Sequence, residues 1–350
     1  MGDEYYSTVV DSFPWTIRRC YYDLEKIGCS SQSLVCLASN GHFGKVAVKK
    51  LIKPFDSESC AKRSWREIVI HKHLAKSSHP HIIGLIESFT PDSGLELFNN
   101  VYIVTEYIGK DLEQALKKVG KYDETDALKI IGQVLSALAY LHSAGILHRD
   151  LKPSNIAISD NCYVKLLDFG LSRTSASEMS GYVITRPYRA PEVICNWTHY
   201  KSNVDVWSAG CILAEMLTGE ILFRGDTLVK HFQNIIKFVG KPNETVLSKI
   251  ISINAREYIK TLPDEPPVNM NEYFHGKHYL VIELLKEMLN FDSETRTSAV
   301  DTLNHKSFDY FKAKAYQATK NFSCPILDCQ LEEQSKSIDD WKELVWNICQ

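Results

Sequence analysis

The chain has 350 residues, 44% of them apolar, which is enough for two lobes with sizeable cores and too apolar for a mostly disordered protein. Forty Lys plus Arg against 43 Asp plus Glu leave a net charge of -3, which argues against a general nucleic-acid binder and leaves room for local basic clusters. No stretch approaches the ~18 apolar residues of a membrane span and no early segment reads as an export signal, so a cytoplasmic or nuclear protein with reduced thiols and no membrane partner is expected.

In chain order, the first unusual segment is "GCSSQSLV", Gly28 to Val35, set between two strand-like runs, "YYDLEKI" and "VCLAS". Short β-like runs continue to about residue 108 around one helical segment, "CAKRSWREIVIHKHLA", which predicts a small sheet-rich lobe. From Asp123 the pattern turns helical. Leu128, Ile131, Leu135 and Leu138 recur at helical spacing, with Asp123 suited to cap the start and Gly145 to end it. A second helix, "VDVWSAGCILAEMLTGE", is apolar nearly all round, as a core helix is, and should stop at Gly219. Residues 241–279 carry four prolines and mixed patterning, which reads as an insertion on the larger lobe. In the tail, Ser337 with Asp340 makes a capping box, and Ile338, Trp341, Val345 and Ile348 form an apolar stripe that should dock.

Five motifs then fall in order: "VAVKK" with Lys49, "SWREI" with Glu67, "HRDLKPSN" from His148 to Asn155, "LLDFG" with Asp168, and "RAPE" from Ala190 to Glu192. With them the chain resembles the protein kinases from about Tyr21 onward. The resemblance implies an α+β, bilobal fold: an N-terminal extension at 1–20, a β-rich N-lobe at 21–108, a helical C-lobe at 109–312 with the insert at 241–279, and a C-terminal extension at 313–350 ending in a docking helix.

It also implies ATP and Mg²⁺ as cofactors and a division of labour. Phosphoryl transfer needs a triphosphate held in line with a hydroxyl while spreading charge is neutralised. Lys49, oriented by Glu67, would contact phosphates; Asp168 and Asn155 would hold Mg²⁺ through hard oxygen ligands; Asp150 would accept or orient the substrate hydroxyl proton; Lys152 would steady the γ-phosphate. His148 and Phe169 read as packing residues. Thr105 would be the gatekeeper, backbone groups of Glu106 and Ile108 would meet adenine, Val35, Ala47 and Ala157 would sandwich the ring, and Asp111 would reach the ribose.

Against that pattern the glycine loop departs. Gly28 matches, but Ser30 and Ser33 stand at the second and third glycine positions. If each forced a strained backbone at about 1–2 kcal/mol, nucleotide affinity would fall roughly ten- to a thousandfold. Since the acid, metal and lysine residues are complete, a working enzyme is expected, the alternative being a weakly active kinase-fold scaffold that binds cascade partners.

The segment "DFGLSRTSASEMSGYVITRPYRAPE" resembles the activation segment of the mitogen-activated protein kinases, with Ser180-Gly181-Tyr182 as its phosphorylated lip. Arg63, Arg66 and Arg149 would face the first phosphate, and Arg186 and Arg189 the phosphotyrosine, through charge-assisted forks. The tail resembles the c-Jun N-terminal kinases most closely, while "SINAREYIKTLP" resembles the other stress-activated branch. This family resemblance implies protein substrates at Ser/Thr-Pro sites in a stress-response cascade, an upstream dual-specificity MAP kinase kinase, and phosphatases as partners. Near the family's acidic docking groove only Asp309 is acidic, beside Lys312 and Lys314, so weak or altered selection of basic docking peptides is expected. Asp205 is expected to brace the catalytic loop and Arg296 to pair with Glu192.

Overall fold

The protein is described from a computed structural model that covers residues 4–174, 187–195, 201–313, 324–328 and 330–350. The expected lip at Ser180 and Tyr182, Arg186 and Lys314 lie outside these residues.

β1 (Tyr5–Val10) and β2 (Phe13–Arg18) form an antiparallel hairpin. Its two turn residues, Asp11 and Ser12, both have positive φ (51° and 68°), the backbone that tight two-residue hairpins require. This hairpin lies within the stretch read as an N-terminal extension, and Trp15 and Ile17 are fully buried against one face of the main sheet.

That sheet is antiparallel, with β3 (Tyr21–Cys29), β4 (Ser33–Asn40), β5 (Gly44–Leu51), β6 (Leu85–Phe89) and β7 (Tyr102–Glu106) in the order β3-β4-β5-β7-β6. Between β5 and β6 runs α1 (Glu58–Ala75), capped by the Ser57 hydroxyl, which accepts from the Cys60 amide.

The larger lobe begins with β8 (Lys110–Asp111), α2 (Leu112–Val119) and α3 (Glu124–Ser143). Asp123 accepts from the Asp126 amide at 2.8 Å, and Gly145, just past the end of α3, has φ 75°, so both punctuating residues act as the sequence predicts. Next come β9 (Ile146–Leu147), β10 (Ile156–Ile158), β11 (Val164–Leu166) and β12 (Arg173–Thr174), with β10 paired between β8 and β11. After α4 (Pro191–Ile194), α5 (Asn203–Thr218) is buried on nearly every side and stops at Gly219, φ 81°. A Cβ at Gly219 would stand 2.7 Å from the Gly120 carbonyl oxygen, so only glycine fits.

α6 (Leu228–Val239) precedes the insertion, which folds into α7 (Glu244–Lys249), α8 (Ile253–Thr261) and α9 (Met270–Tyr273); α10 (Tyr279–Met288), α11 (Ala299–Thr302) and α12 (Lys306–Tyr310) follow. Arg296 makes a two-pronged ion pair with Glu192 at 2.6 and 2.9 Å, with both side chains fully buried.

The chain ends with α13 (Gln330–Glu333) and α14 (Ile338–Cys349). The Ser337/Asp340 capping box is present, and α14 packs on α1, where the rings of Trp65 and Trp341 lie 5.2 Å apart. Of the expected stripe, Trp341 and Val345 are buried and Ile348 packs against the same cluster, joined by buried Cys349, while Ile338 at the start of the helix is 37% exposed.

Candidate active site

The two lobes enclose a cleft of about 590 Å³, a size suited to a nucleotide-sized ligand. Its roof comes from β3, β4 and β5, its back from α1, and its floor from β10 and the segment after β11. Gly28, Ser30, Ser33, Val35, Ala47, Lys49, Thr105, Glu106, Ile108, Asp111, Ala157, Lys152, Asn155 and Asp168 all line it, so residues up to 140 positions apart in the sequence converge on one cavity.

At its inner end Lys49 Nζ lies 2.5 Å from Glu67 Oε1 and 2.9 Å from Asp168 Oδ1. Burial works against the Lys49 ammonium, but Asp168 and Glu67 outweigh it and raise its pKa. Desolvation likewise opposes the Asp168 carboxylate, yet Lys49, the Gly170 amide and Arg63 hold it well below the usual carboxylate range. Asp168 has φ 58°, left-handed backbone in a residue that aims its carboxylate into the cleft. Phe169 behind it is fully buried, edge-on to the rings of His71 and His148 at 5.0 and 5.8 Å.

Asp150 does not itself line this cavity but is bonded to two residues that do: its Oδ2 lies 2.8 Å from Lys152 Nζ and accepts from the Asn155 side-chain nitrogen at 3.0 Å. That nitrogen also donates to the Asp150 carbonyl at 2.8 Å. The amide oxygen of Asn155 is thereby turned away from Asp150. The loop itself is braced by Asp205, which accepts from the amides of His148 and Arg149 at 2.9 and 2.8 Å and from His142 at 2.9 Å. Arg149 takes φ 68° there.

A divalent cation fits this donor set. The Asp168 carboxylate and the Asn155 amide oxygen are hard oxygen ligands, and Asp168 is held ionised.

The loop over the cleft is not strained. Neither Ser30 nor Ser33 has positive φ, and a Cβ at Gly28 would meet nothing nearer than Val35 at 3.7 Å. The premise that the serines cost backbone strain is corrected: the turn takes a conformation that L-residues adopt freely. It is closed by side chains, since Ser30 Oγ accepts from the amides of Gln32 and Ser33 at 3.2 and 3.0 Å.

The arginines divide. Arg63 lies beside Gly170, whose Cβ, were there one, would sit 3.2 Å from its guanidinium. Arg149 Nη1 is 3.5 Å from the Leu171 carbonyl, and Arg149 and Arg189 line one cavity with Asp150. Arg66 is elsewhere. Its guanidinium is buried against Glu332 of α13, at 2.8 Å from Nε and 2.7 Å from Nη2, an engagement the sequence did not announce. Its helix face points at the C-terminal extension.

Sequence reasoning missed two features of the cleft. His71 lines its back wall with a buried Nδ1 that has no hydrogen-bond partner among the described residues, and burial pushes its pKa down to about 3. It stands four residues after Glu67, hence on the same helix face, a spacing that could have revealed it. The Glu106 side chain was also overlooked. It accepts from the Gly84 amide at 2.5 Å and from Lys165 Nζ at 2.6 Å, tying the strand between the lobes to β11.

The protein kinase domain profile matches residues 21–308. Human mitogen-activated protein kinase 12 is 38% identical over 343 residues, 98% of this chain and 91% of that protein. Mitogen-activated protein kinase p38b of Drosophila melanogaster is 38% identical over 348 residues, and mitogen-activated protein kinase 14 of Xenopus laevis 39% over 343; each alignment covers 98% of this chain and 93% of the relative. The chain belongs to the mitogen-activated protein kinase family. This MAP kinase is a serine/threonine protein kinase, and kinases of its family use ATP and Mg²⁺. The relatives are of the p38 type, which corrects the lean toward the c-Jun N-terminal kinases drawn from the tail. A cap and an apolar stripe are what any helix docked on α1 needs, and they carry little information about branch.

Proposed function

We propose that this MAP kinase, of p38 type, transfers the γ-phosphate of ATP to Ser or Thr followed by Pro in a stress-response cascade. The observation that carries the reading is the convergence of Lys49, Glu67 and Asp168 above the Asp150, Lys152 and Asn155 cluster. Lys49, steered by Glu67, binds phosphate oxygens. Asp150 orients the substrate hydroxyl and takes its proton, and Lys152 balances the charge beside it. Asn155 and Asp168 hold the metal, and Mg²⁺ supplies neutralisation of the phosphate charge. Thr105 borders adenine, backbone groups of Glu106 and Ile108 meet its edge, Val35, Ala47 and Ala157 contact its faces, and Asp111 meets the ribose.

Activity is switched by phosphorylation at Ser180 and Tyr182 by an upstream dual-specificity kinase and reversed by phosphatases. With Arg66 engaged by Glu332, the first phosphate falls to Arg63 and Arg149, and the second to Arg186 and Arg189. Docking of basic peptides is weak, because Asp309 is outnumbered by Lys312 and Lys314. The protein acts in the cytoplasm or nucleus.

A second reading, a poorly active scaffold, draws support from the loop amides already bonded to Ser30. A Mg-ATP titration with turnover of a Ser-Pro peptide separates the two, using dually phosphorylated protein and Asp150→Asn as the control. Turnover abolished by Asp150→Asn supports the enzyme; equal turnover in both proteins, or none in either, rejects it.

A further inference from the structure

Ser30 to Ser33 close a hairpin between β3 and β4 with two residues at its tip. Such hairpins ordinarily rely on positive-φ residues, and none occurs here between Gly28 and Val35. Three bonds hold the turn instead. The Ser30 amide donates to the Ser33 carbonyl at 2.8 Å, and Ser30 Oγ accepts from the Gln32 and Ser33 amides. The two hydroxyls meet at 3.0 Å, and the Gln32 carbonyl is pinned by the Ile52 amide at 2.8 Å. The turn overhangs the cleft beside Lys49.

Successive backbone N–H groups in a turn of this kind are anion ligands. Here two of the turn's amides, those of Gln32 and Ser33, are already satisfied by an oxygen of the chain itself. An amide hydrogen given to Ser30 Oγ is not available to a phosphate oxygen, so a triphosphate that draws on the Gln32 and Ser33 amides must first break both bonds.

We propose that Ser30 is a specificity-determining residue that competes with nucleotide phosphate for the loop's own amides and thereby sets a low affinity for phosphorylated nucleotides. The inference rests on the assignment of the cleft to ATP. Its consequence is selective. Adenosine, which has no phosphate, needs no opening of the turn, so the handicap falls on Mg-ADP and Mg-ATP alone.

The test compares dissociation constants of Mg-ADP and of adenosine for the full chain, measured by calorimetry, in wild type, Ser30→Ala, Ser30→Gly and Ser31→Ala. Ser31 is exposed at the same tip and makes no side-chain hydrogen bond among the described residues, so Ser31→Ala controls for the turn as such. With two neutral hydrogen bonds released, Ser30→Ala should bind Mg-ADP about tenfold more tightly, with adenosine unchanged. Ser30→Gly should do the same. Unchanged or weaker Mg-ADP binding in both Ser30 variants overturns the inference while adenosine binding upholds the cleft assignment, as does equal tightening of adenosine. A wild-type chain that binds neither ligand overturns the ATP assignment and this inference with it.

Discussion

Arg66 of the helix that carries Glu67 is bonded to Glu332, a residue 266 positions away in the C-terminal extension. Both side chains are almost wholly buried, at 7% and 3% exposure. Removing one partner would leave an unpaired buried charge, which costs about 3–5 kcal/mol. Glu332→Ala is therefore expected to lower unfolding stability by that order, and Arg66→Met with Glu332→Leu to recover most of it. Urea melts check this. A Glu332→Ala midpoint equal to wild type would show that the pair carries no such weight.

Asp150 contacts Lys152 and Asn155 at the cleft floor. Asp150→Asn keeps shape and loses the proton acceptor. Its kcat should fall about 10²- to 10⁴-fold with little change in KM for ATP. A rise in KM at constant kcat would assign Asp150 to binding instead.

Behind the strand between the lobes, a Cβ at Gly84 would stand 2.7 Å from Glu106 Oε1. Gly84→Ala must therefore push the carboxylate away from Lys165. Gly84→Ala, Glu106→Gln and Lys165→Met are each expected to raise KM for ATP a few fold by loosening the lobes. In combination they should add nothing further, since all break one contact. Additive effects in a double-mutant cycle would count against a shared strut.

Acid should destabilise the fold. Burial holds His71 and His79 neutral, each with a pKa near 3, and lowers that of His81. In the unfolded chain these rings titrate near the ordinary value of 6.5. Their contribution is intact above that pH and is lost as pH falls from 6.5 toward 3, because only the unfolded state takes up the protons. The slope is about 1.4 kcal/mol per pH unit for each histidine. Guanidine melts between pH 7.5 and 4.5 measure it, and His79→Gln should flatten the curve; an unchanged slope would sink the assignment.

Much of the site was legible because its charged residues lie in short motifs, each a few residues long, whose spacing survives without any knowledge of packing. Asp123, Gly145 and Gly219 were readable for the same reason, since a cap is a local event. Arg66 was not. Its helix position predicts which way it points only once the partner on that face is known, and that partner comes from the far end of the chain. The β1–β2 hairpin escaped because its turn is Asp-Ser, lacking the Asn-Gly or Asp-Gly signature. The serines of the loop were read for their Cβ atoms, while their hydroxyls decide the geometry.

The N-terminal hairpin also sets where this domain can be cut. Trp15 packs at a tilt against Tyr102, with ring centroids 5.5 Å apart, and Phe89, Tyr21 and Tyr102 continue the same aromatic layer. A recombinant fragment begun at Tyr21, where the recognisable motif region starts, would strip the cover from that layer and present an oily shelf to solvent. Such a truncation should aggregate during expression, although every catalytic side chain would still be encoded in it.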